Sequence, residues 1–172
     1  SAQEIKLILN IKQGGFKMAK VGDLCGYYYE DYEVGAVFKH WPGRTVTQYD
    51  NIMFTLMTLN THPLHFDAEY ASKTEFGKTL VNSTFTLALI AGMSVTDISQ
   101  NAVCNLGWEE VKIPRHTFVG DNLYAETTVL ARRESKSRPN CGIVKVETVG
   151  KNQKGEIIMS FTRSILMKKK PV

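Results

Sequence analysis

The residues best suited to chemistry in this chain lie in one stretch, Asn60-Thr61-His62-Pro63-Leu64-His65-Phe66-Asp67. Histidine exchanges a proton near neutral pH, and two histidines here flank a proline. Proline fixes its own φ and disfavours helix at the residue before it. The stretch therefore predicts a rigid polar turn at a helix end, where catalytic groups are often found. The same residues also suit a solvent-exposed turn capped by Asn60, because Asn is common in turns.

Length and composition are those of an ordinary globular domain. The 172 residues fit one domain with a sizeable core, and 43% of them are hydrophobic and 22% charged. No apolar run approaches the roughly 20 residues of a membrane helix, and the run from Ile5 to Leu9 is too short for a secretory signal. The three cysteines, Cys25, Cys104 and Cys141, are widely spaced, so we expect neither a disulfide framework nor a zinc site. A reducing, cytoplasmic location fits this pattern.

The formal net charge of +4 is concentrated at the two ends of the chain. Residues 1–20 carry a net +3 and the lysines at 168–170 another +3, which leaves −2 for residues 21–167. A nucleic-acid-binding surface needs clustered Lys and Arg on one face, so nucleic acid is not an expected partner. We interpret residues 1–22, rich in Gly and Lys, as a leader or N-terminal arm, and residues 23–170 as a single domain.

A first helix is predicted over residues 48–59. Thr47 can cap it, and Asp50 three residues later completes an approximate capping box. Three apolar residues with helical spacing would face the core: Ile52, Leu56 and Leu59.

Two further helices follow the two-histidine turn. A short one is predicted over 68–73 with Asp67 as its cap. A long one is predicted over 84–99 with Asn82 or Ser83 as its cap. The long helix is apolar on nearly every side, which predicts a buried position.

The rest of the chain is strand-like. Strands are predicted over 34–41, 103–113, 122–132, 142–149 and 155–167. Hairpin-like connections between the last four predict an antiparallel sheet. The order of one strand, a buried helix and four antiparallel strands predicts a curved sheet wrapped around one central helix. This is the hotdog arrangement, an α+β fold. Because such a sheet has open edges, we expect a homodimer, or a dimer of dimers, that pairs them.

The turn resembles a known motif. Hotdog enoyl-CoA hydratases of the MaoC, or (R)-specific hydratase, type carry Asp-x-Asn-Pro-[Ile/Leu/Val]-His-x-Asp, which aligns with residues 60–67 without a gap. Family members often show Phe-Gly-Arg-x-[Ile/Val]-Ala-His-Gly before the central helix, similar to residues 76–83, and the Val-Gly-Asp step at 119–121 also matches. Segments 80–87 and 134–139 resemble a subset that acts on branched dicarboxyl thioesters such as mesaconyl-CoA or itaconyl-CoA.

This resemblance implies a hydratase or dehydratase acting on a short 2-enoyl-CoA thioester. In the family an Asp and a His share one water; the Asp falls here on Asn60, and the family's Asn falls on His62. His65 would be the general base. Asn60 would hold the water through its amide oxygen but cannot take its proton. We prefer His62 as the second proton-transfer group; the alternatives are a one-base hydratase and a binding protein on a hydratase scaffold.

The resemblance also implies which residues contact the thioester. The backbone N–H of Ser83, next to Asn82 at the start of the central helix, would stabilise negative charge on the thioester oxygen. Pro63 and Phe66 would contribute to the substrate pocket, with Phe66 limiting its depth.

Three basic residues are candidates for the phosphates of CoA or for a substrate carboxylate: Arg133, Lys136 and Arg138. The alternative is a solvated hairpin end. We expect no cofactor other than the CoA that the substrate carries.

A metal site is not expected. His62, His65 and Asp67 are ligand types, but a firm third ligand is missing nearby, because His40 and His116 are remote in the sequence.

Two other functions fit the fold. A hotdog thioesterase would need an acidic residue in or near the central helix, where only Asp97 is found. A binding module for acyl-CoA or acyl-carrier protein would need no acid or base.

Overall fold

In the computed structural model, which describes residues 26–171, a six-stranded antiparallel sheet curves around one central helix. The strands are β1 (Val37–Lys39), β2 (Arg44–Thr45), β3 (Ala102–Lys112), β4 (Asn122–Glu134), β5 (Cys141–Lys151) and β6 (Ile157–Lys168). The helices are α1 (Gln48–Met57), α2 (Ala68–Ser72) and α3 (Ser83–Met93), with single 3₁₀ turns at Tyr29–Asp31 and Pro63–His65 and a π turn at Val95–Ser99. The predicted leader or arm, residues 1–22, lies outside the described residues.

The strand order is β1-β4-β5-β6-β3, with β2 paired to the start of β4. The predicted hairpins between β4 and β5 and between β5 and β6 are confirmed. The predicted hairpin between β3 and β4 is wrong, because β3 pairs with β6 at the edge of the sheet. The segment between them instead crosses the start of α3, where the N–H of Val81 donates to the carbonyl of Thr117 at 2.9 Å.

The cap predictions are confirmed. The Thr47 hydroxyl accepts from the N–H of Asp50 at 3.2 Å, and the Asp50 carboxylate accepts from the N–H of Thr47 at 2.9 Å. The Asp67 carboxylate accepts from the N–H of Tyr70 at 2.9 Å. These bonds satisfy backbone donors that a helix start leaves without partners.

The predicted inner face of α1 is wrong. Leu56 and Leu59 are 52% and 86% exposed, whereas Asn51 and Thr55 are fully buried. The helix therefore turns a polar pair, spaced four residues apart, towards the interior.

The central helix differs in extent from its prediction. Regular α-helix ends at Met93 rather than continuing to residue 99. Phe85 and Ile90 are buried, but Ala88 and Gly92 are exposed, so the helix is not buried on every side in the described chain. Within residues 26–171, no helix has the length and apolar character needed to cross a membrane.

The helix packs closely on the sheet at Gly150 in β5. A Cβ there would lie 2.1 Å from Cδ1 of Ile90, so any larger residue at this position would force the Ile90 side chain to move. The start of α3 lies against the segment between β3 and β4, where the candidate site is found.

Candidate active site

The two-histidine turn is held by its own side chains. The Asn60 side-chain oxygen accepts from the N–H of His62 at 3.0 Å, and Nδ1 of His62 accepts from the N–H of Leu64 at 3.2 Å. Pro63 is the first residue of the 3₁₀ turn, where its missing N–H costs nothing. The predicted rigid polar turn is therefore present.

His65 is fixed through one ring nitrogen only. Its Nδ1 lies 2.9 Å from the carbonyl oxygen of Leu80, and a carbonyl can only accept, so Nδ1 carries the proton. In the neutral ring Nε2 then holds the lone pair. No group among residues 26–171 forms a hydrogen bond to Nε2. The half-buried ring is therefore positioned as a base, with Nε2 as the atom that takes the proton.

His65 lines a cavity of about 60 Å³ between the turn, the start of α3 and the segment after β3. Three lining residues are apolar and five are polar or ionisable: Leu80, Val81 and Ile113, and His65, Ser83, Thr86, His116 and Thr117. The space exceeds the roughly 10–15 Å³ that one water needs, so it can admit a water together with a small group.

Ser83 brings the N-terminus of α3 to this cavity. Asn82 caps the helix, and its side-chain oxygen accepts from the N–H of Thr84 at 3.0 Å. The N–H of Ser83 forms no hydrogen bond with any described residue. A free donor at the positive end of a helix dipole can stabilise a developing oxyanion, as the sequence predicts for Ser83.

Asn51 is a positioning residue that sequence reasoning missed. Its fully buried side-chain amide donates to the carbonyls of His65 at 2.7 Å and Leu80 at 3.0 Å. Its oxygen accepts from the N–H of Asn82 at 2.9 Å. One side chain thus joins the base, the carbonyl that fixes its tautomer and the cap of α3. The sequence does contain a signal for this role: Asn51 and Thr55 are polar residues four positions apart in the middle of the predicted helix, so they share one face.

Four of the predicted site residues in the turn lie beside the cavity without lining it: Asn60, His62, Pro63 and Phe66. Asn60 and His62 use side-chain atoms to build the turn, and the His62 ring is exposed, with its centre 6.0 Å from that of His65. Phe66 is half-buried at the end of the turn, so it does not limit the depth of this cavity. The water-holding role of Asn60 stays a prediction.

The three predicted phosphate-binding residues are not brought to this site within the chain. Arg133 lies near the end of β4, and Lys136 and Arg138 lie in the hairpin loop that follows. The 13 residues of β4 span about 40 Å at roughly 3.3 Å per residue, and its first residue is at the end of the sheet near the cavity. The basic hairpin is therefore at the opposite end of the strand.

His116 is remote from His65 in the sequence, but the fold brings the two residues to one cavity. Both histidines line the same cavity, because the segment after β3 folds over the start of α3. The His116 ring is exposed and stacks edge-on against Phe76, with 4.9 Å between ring centres. No group of three or more His, Cys, Asp or Glu in the described part of the chain is arranged to hold a metal.

Asp97, the acidic residue of the thioesterase hypothesis, belongs to another region. Its carboxylate accepts from Nδ1 of His40 at 2.7 Å, and Nε2 of His40 is 2.7 Å from the hydroxyl of Thr127. Asp97 does not line the His65 cavity.

Comparison with known proteins identifies the family. The sequence model for mesaconyl-CoA hydratase matches residues 20–172. Over 145 residues the chain is 33% identical to the mesaconyl-CoA hydratase of Cereibacter sphaeroides, a match that covers 84% of this chain and 42% of that protein. The chain spans about two fifths of the length of the curated relatives it matches.

Solved structures agree with this assignment. A MaoC-like dehydratase from Rhodospirillum rubrum superposes with a TM-score of 0.75 at 31% identity, covering 86% of this chain and all of that chain. A Mycobacterium tuberculosis protein with a double hotdog fold superposes with a TM-score of 0.78 at 22% identity, covering 85% of this chain and 45% of that chain, which shows the shared fold. The predicted hotdog fold is confirmed, and the chain belongs to the mesaconyl-CoA hydratase family of MaoC-like hotdog proteins.

Proposed function

We propose that the protein is a hydratase, or dehydratase in reverse, for a short-chain 2-enoyl-CoA or branched dicarboxyl enoyl-CoA thioester such as mesaconyl-CoA. The observation that carries this proposal is His65, whose Nδ1 proton is fixed on the carbonyl of Leu80 while Nε2 is left without a partner among the described residues. The names of the relatives, mesaconyl-CoA hydratase and β-methylmalyl-CoA dehydratase, support this substrate class.

The cavity residues suggest a one-base mechanism. Nε2 of His65 takes a proton from water, whose oxygen forms a bond to the β-carbon of the thioester. The electron pair of the double bond moves onto the thioester oxygen, where the N–H of Ser83 stabilises it. The imidazolium then returns the proton to the α-carbon, and one water has been added.

The position of His62 favours a one-base hydratase over the sequence prediction that His62 is the second proton-transfer group. His62 is exposed, does not line the cavity, and uses Nδ1 to accept from the turn. His65 and His116 are the ionisable side chains in the cavity lining. For His62 to transfer a proton, the substrate or its water would have to reach the His62 ring outside the cavity.

A binding protein without catalysis is the second candidate, and it is favoured by Asn60. The family's acidic residue is replaced at this position, and the amide oxygen of Asn60 is engaged with the N–H of His62. The thioesterase alternative has no matching support, because Asp97 is paired with His40.

A panel of enoyl-CoA thioesters tests the proposal. Mesaconyl-CoA, itaconyl-CoA and linear short-chain thioesters would each be followed by formation of the hydroxyacyl-CoA product, separated by chromatography, and the hydroxyacyl-CoA products would be assayed in reverse. We expect turnover of at least one member in both directions. Free thiol release would indicate a thioesterase, and tight binding without turnover would indicate a binding protein.

Replacing Asn60 with Asp separates the two leading candidates. If the native protein is inactive and Asn60→Asp gains hydration, the natural protein is a binder on a hydratase scaffold. If the native protein is active, a carboxylate at this position is not required for hydration.

We also propose a homodimer, or a dimer of dimers, and a cytoplasmic location. The edge strand β3 leaves apolar side chains exposed, including Leu106 at 50% and Val111 at 43%, which supports pairing with a second copy. The two cysteines in the described residues, Cys104 and Cys141, are free thiols, which suits a reducing compartment. Sedimentation equilibrium of the native chain and of Leu106→Lys tests the assembly, and a monomeric native chain would contradict it.

A further inference from the structure

A groove of about 470 Å³ adjoins the His65 cavity. It is walled by Lys78, by the segment after β3 that contains Arg115, His116 and Phe118, and by the turn between β5 and β6 that contains Asn152 and Lys154. His116 lines both spaces, so the groove lies directly beside the cavity.

The two carboxylates of the groove are already bound. Asp121 accepts from the N–H of Phe118 at 2.8 Å and from the side-chain amide of Gln153 at 3.0 Å. Glu156 accepts from the side-chain amide of Asn152 at 2.9 Å. That hydrogen bond and the nearby guanidinium of Arg115 hold the pKa of Glu156 below its ordinary value, so it stays ionised. Both acids thus fix the groove walls.

Two cations of the groove lack an acidic partner. Lys78 and Lys154 have no carboxylate within 4.0 Å among residues 26–171, whereas Arg115 is 3.6 Å from Glu156. The Lys78 ammonium lies 4.2 Å from the centre of the Phe118 ring, which keeps it over the groove. The N–H of Lys154 is held by the side-chain oxygen of Asn152 at 2.9 Å, which fixes the turn that carries it. Among the described residues the groove therefore presents two ammonium groups with no carboxylate in contact: Lys78 beside an aromatic face, and Lys154, whose charge acts on Glu156 only from a longer distance.

We propose that this groove binds the phosphate-bearing part of the CoA thioester, with Lys78 and Lys154 pairing with its phosphates. The inference rests on the proposed function, which places the thioester in the His65 cavity. The flexible pantetheine arm separates thioester and phosphates, so the phosphates belong in a space that neighbours the cavity. The groove meets that condition, and the basic hairpin at the far end of β4 does not.

Titration calorimetry with free CoA and with pantetheine tests the groove. For the double variant Lys78→Ala/Lys154→Ala we expect the Kd for CoA to rise about tenfold, since two exposed ion pairs are lost. The Kd for pantetheine, which has no phosphate, should not change. A control that removes two charges elsewhere, Lys39→Ala/Lys168→Ala, should leave both Kd values unchanged.

Three results would overturn the proposal: no binding of CoA to the native protein, equal losses for CoA and pantetheine, or a loss of CoA affinity in Lys136→Ala/Arg138→Ala instead. Because free CoA needs no turnover, this experiment is independent of the reaction. If the native protein hydrates enoyl-CoA and the groove variant has the same KM, the proposed phosphate site is refuted and the proposed function stands. If the protein binds CoA through the groove but turns over no enoyl-CoA, the proposed hydratase function is refuted and the phosphate site stands.

Discussion

His65 and His40 both use Nδ1 in a hydrogen bond, but the other nitrogen distinguishes them. His40 has a fully buried side chain, with Nδ1 on Asp97 and Nε2 2.7 Å from the hydroxyl of Thr127. That hydroxyl lies 2.9 Å from the hydroxyl of Thr148, so the chain of bonds ends inside the sheet. His65 is half-buried beside a cavity, and its Nε2 has no partner in the described chain.

This difference separates a histidine that stabilises the fold from one that can act on a ligand. A base needs a lone pair that is accessible and is not already shared. A buried imidazole needs the opposite, since each unsatisfied polar group in the interior costs free energy. His40 therefore belongs to the fold, and His65 to the site.

The largest expected effect is on activity at His65. In His65→Asn, the amide N–H lies near the position of Nδ1 and can still donate to Leu80, but Nε2 is lost. We expect kcat to fall about 10²–10⁴-fold, the usual contribution of a general base. The free energy of unfolding should change by less than about 1 kcal/mol, measured by urea denaturation.

The matched control is His62→Asn, the same substitution on the exposed ring of the turn. Because His62 does not line the cavity, we expect its kcat to stay within about tenfold of the native value. A fall comparable to that of His65→Asn would restore His62 as the second proton-transfer group.

Asn51 tests whether the base depends on its support. In Asn51→Asp the amide donor becomes a carboxylate that faces the carbonyls of His65 and Leu80. We expect the free energy of unfolding to fall by about 2–3 kcal/mol, because buried acceptors then oppose one another. We also expect kcat to fall about 10–100-fold, because a small displacement of the base is costly.

Thr55→Val is the matched control on the same face of α1. The hydroxyl of Thr55 accepts from the side-chain amide of Asn82 at 3.3 Å and forms no hydrogen bond with His65 or Leu80. We expect a loss of about 1 kcal/mol in stability with kcat unchanged. Equal effects on kcat in the two variants would show that Asn51 acts through general stability.

His40→Ala should show the reverse pattern from His65→Asn. Removing the ring leaves a cavity in the interior and takes a partner from Asp97 and Thr127. We expect the free energy of unfolding to fall by about 2–3 kcal/mol, with kcat unchanged well below the melting temperature. Lys39→Ala, at the neighbouring exposed position, is the control and should alter neither. A large loss of kcat in folded His40→Ala would join the two regions functionally.

The difference between the two histidines shows what the sequence can and cannot predict. Local features were predictable: the box of Thr47 and Asp50 and the cap at Asp67 each depend on residues three positions apart. The turn of Asn60 to His65 was predictable for the same reason.

Features that depend on long-range packing were not predictable. Whether α1 turns Asn51 or Leu56 inward depends on the carbonyls that α1 meets, which come from residues 14 and 29 positions away. His116 reaches the cavity only because β3 pairs with β6 rather than with β4. The bonds of His40 likewise join residues 57 and 87 positions apart.

The smallest expected effect is at Arg163, which is buried like His40 but leaves one of its hydrogen-bond donors without a partner among the described residues. It is 2% exposed, its Nη2 donates to the hydroxyl of Ser94 at 2.6 Å, and its Nε has no partner among the described residues. Burial lowers the pKa of Arg163 to about 10, so the side chain is still charged at neutral pH. We expect Arg163→Met to raise the free energy of unfolding by about 1 kcal/mol at neutral pH, because a side chain of similar length replaces a poorly paired buried charge.

The pH dependence gives this prediction a second measurement. The pKa of Arg163 is lower in the folded state than in the unfolded state. The free energy of unfolding of the native protein therefore has its full deficit relative to Arg163→Met below about pH 10. Above that pH the folded state releases the proton first, and the deficit shrinks. Arg163→Ala is the control for volume and should destabilise, because it leaves a cavity. If Arg163→Met destabilises the protein as much as His40→Ala, the guanidinium is part of the same stabilising polar region, and hydrogen-bond satisfaction does not distinguish the two buried side chains.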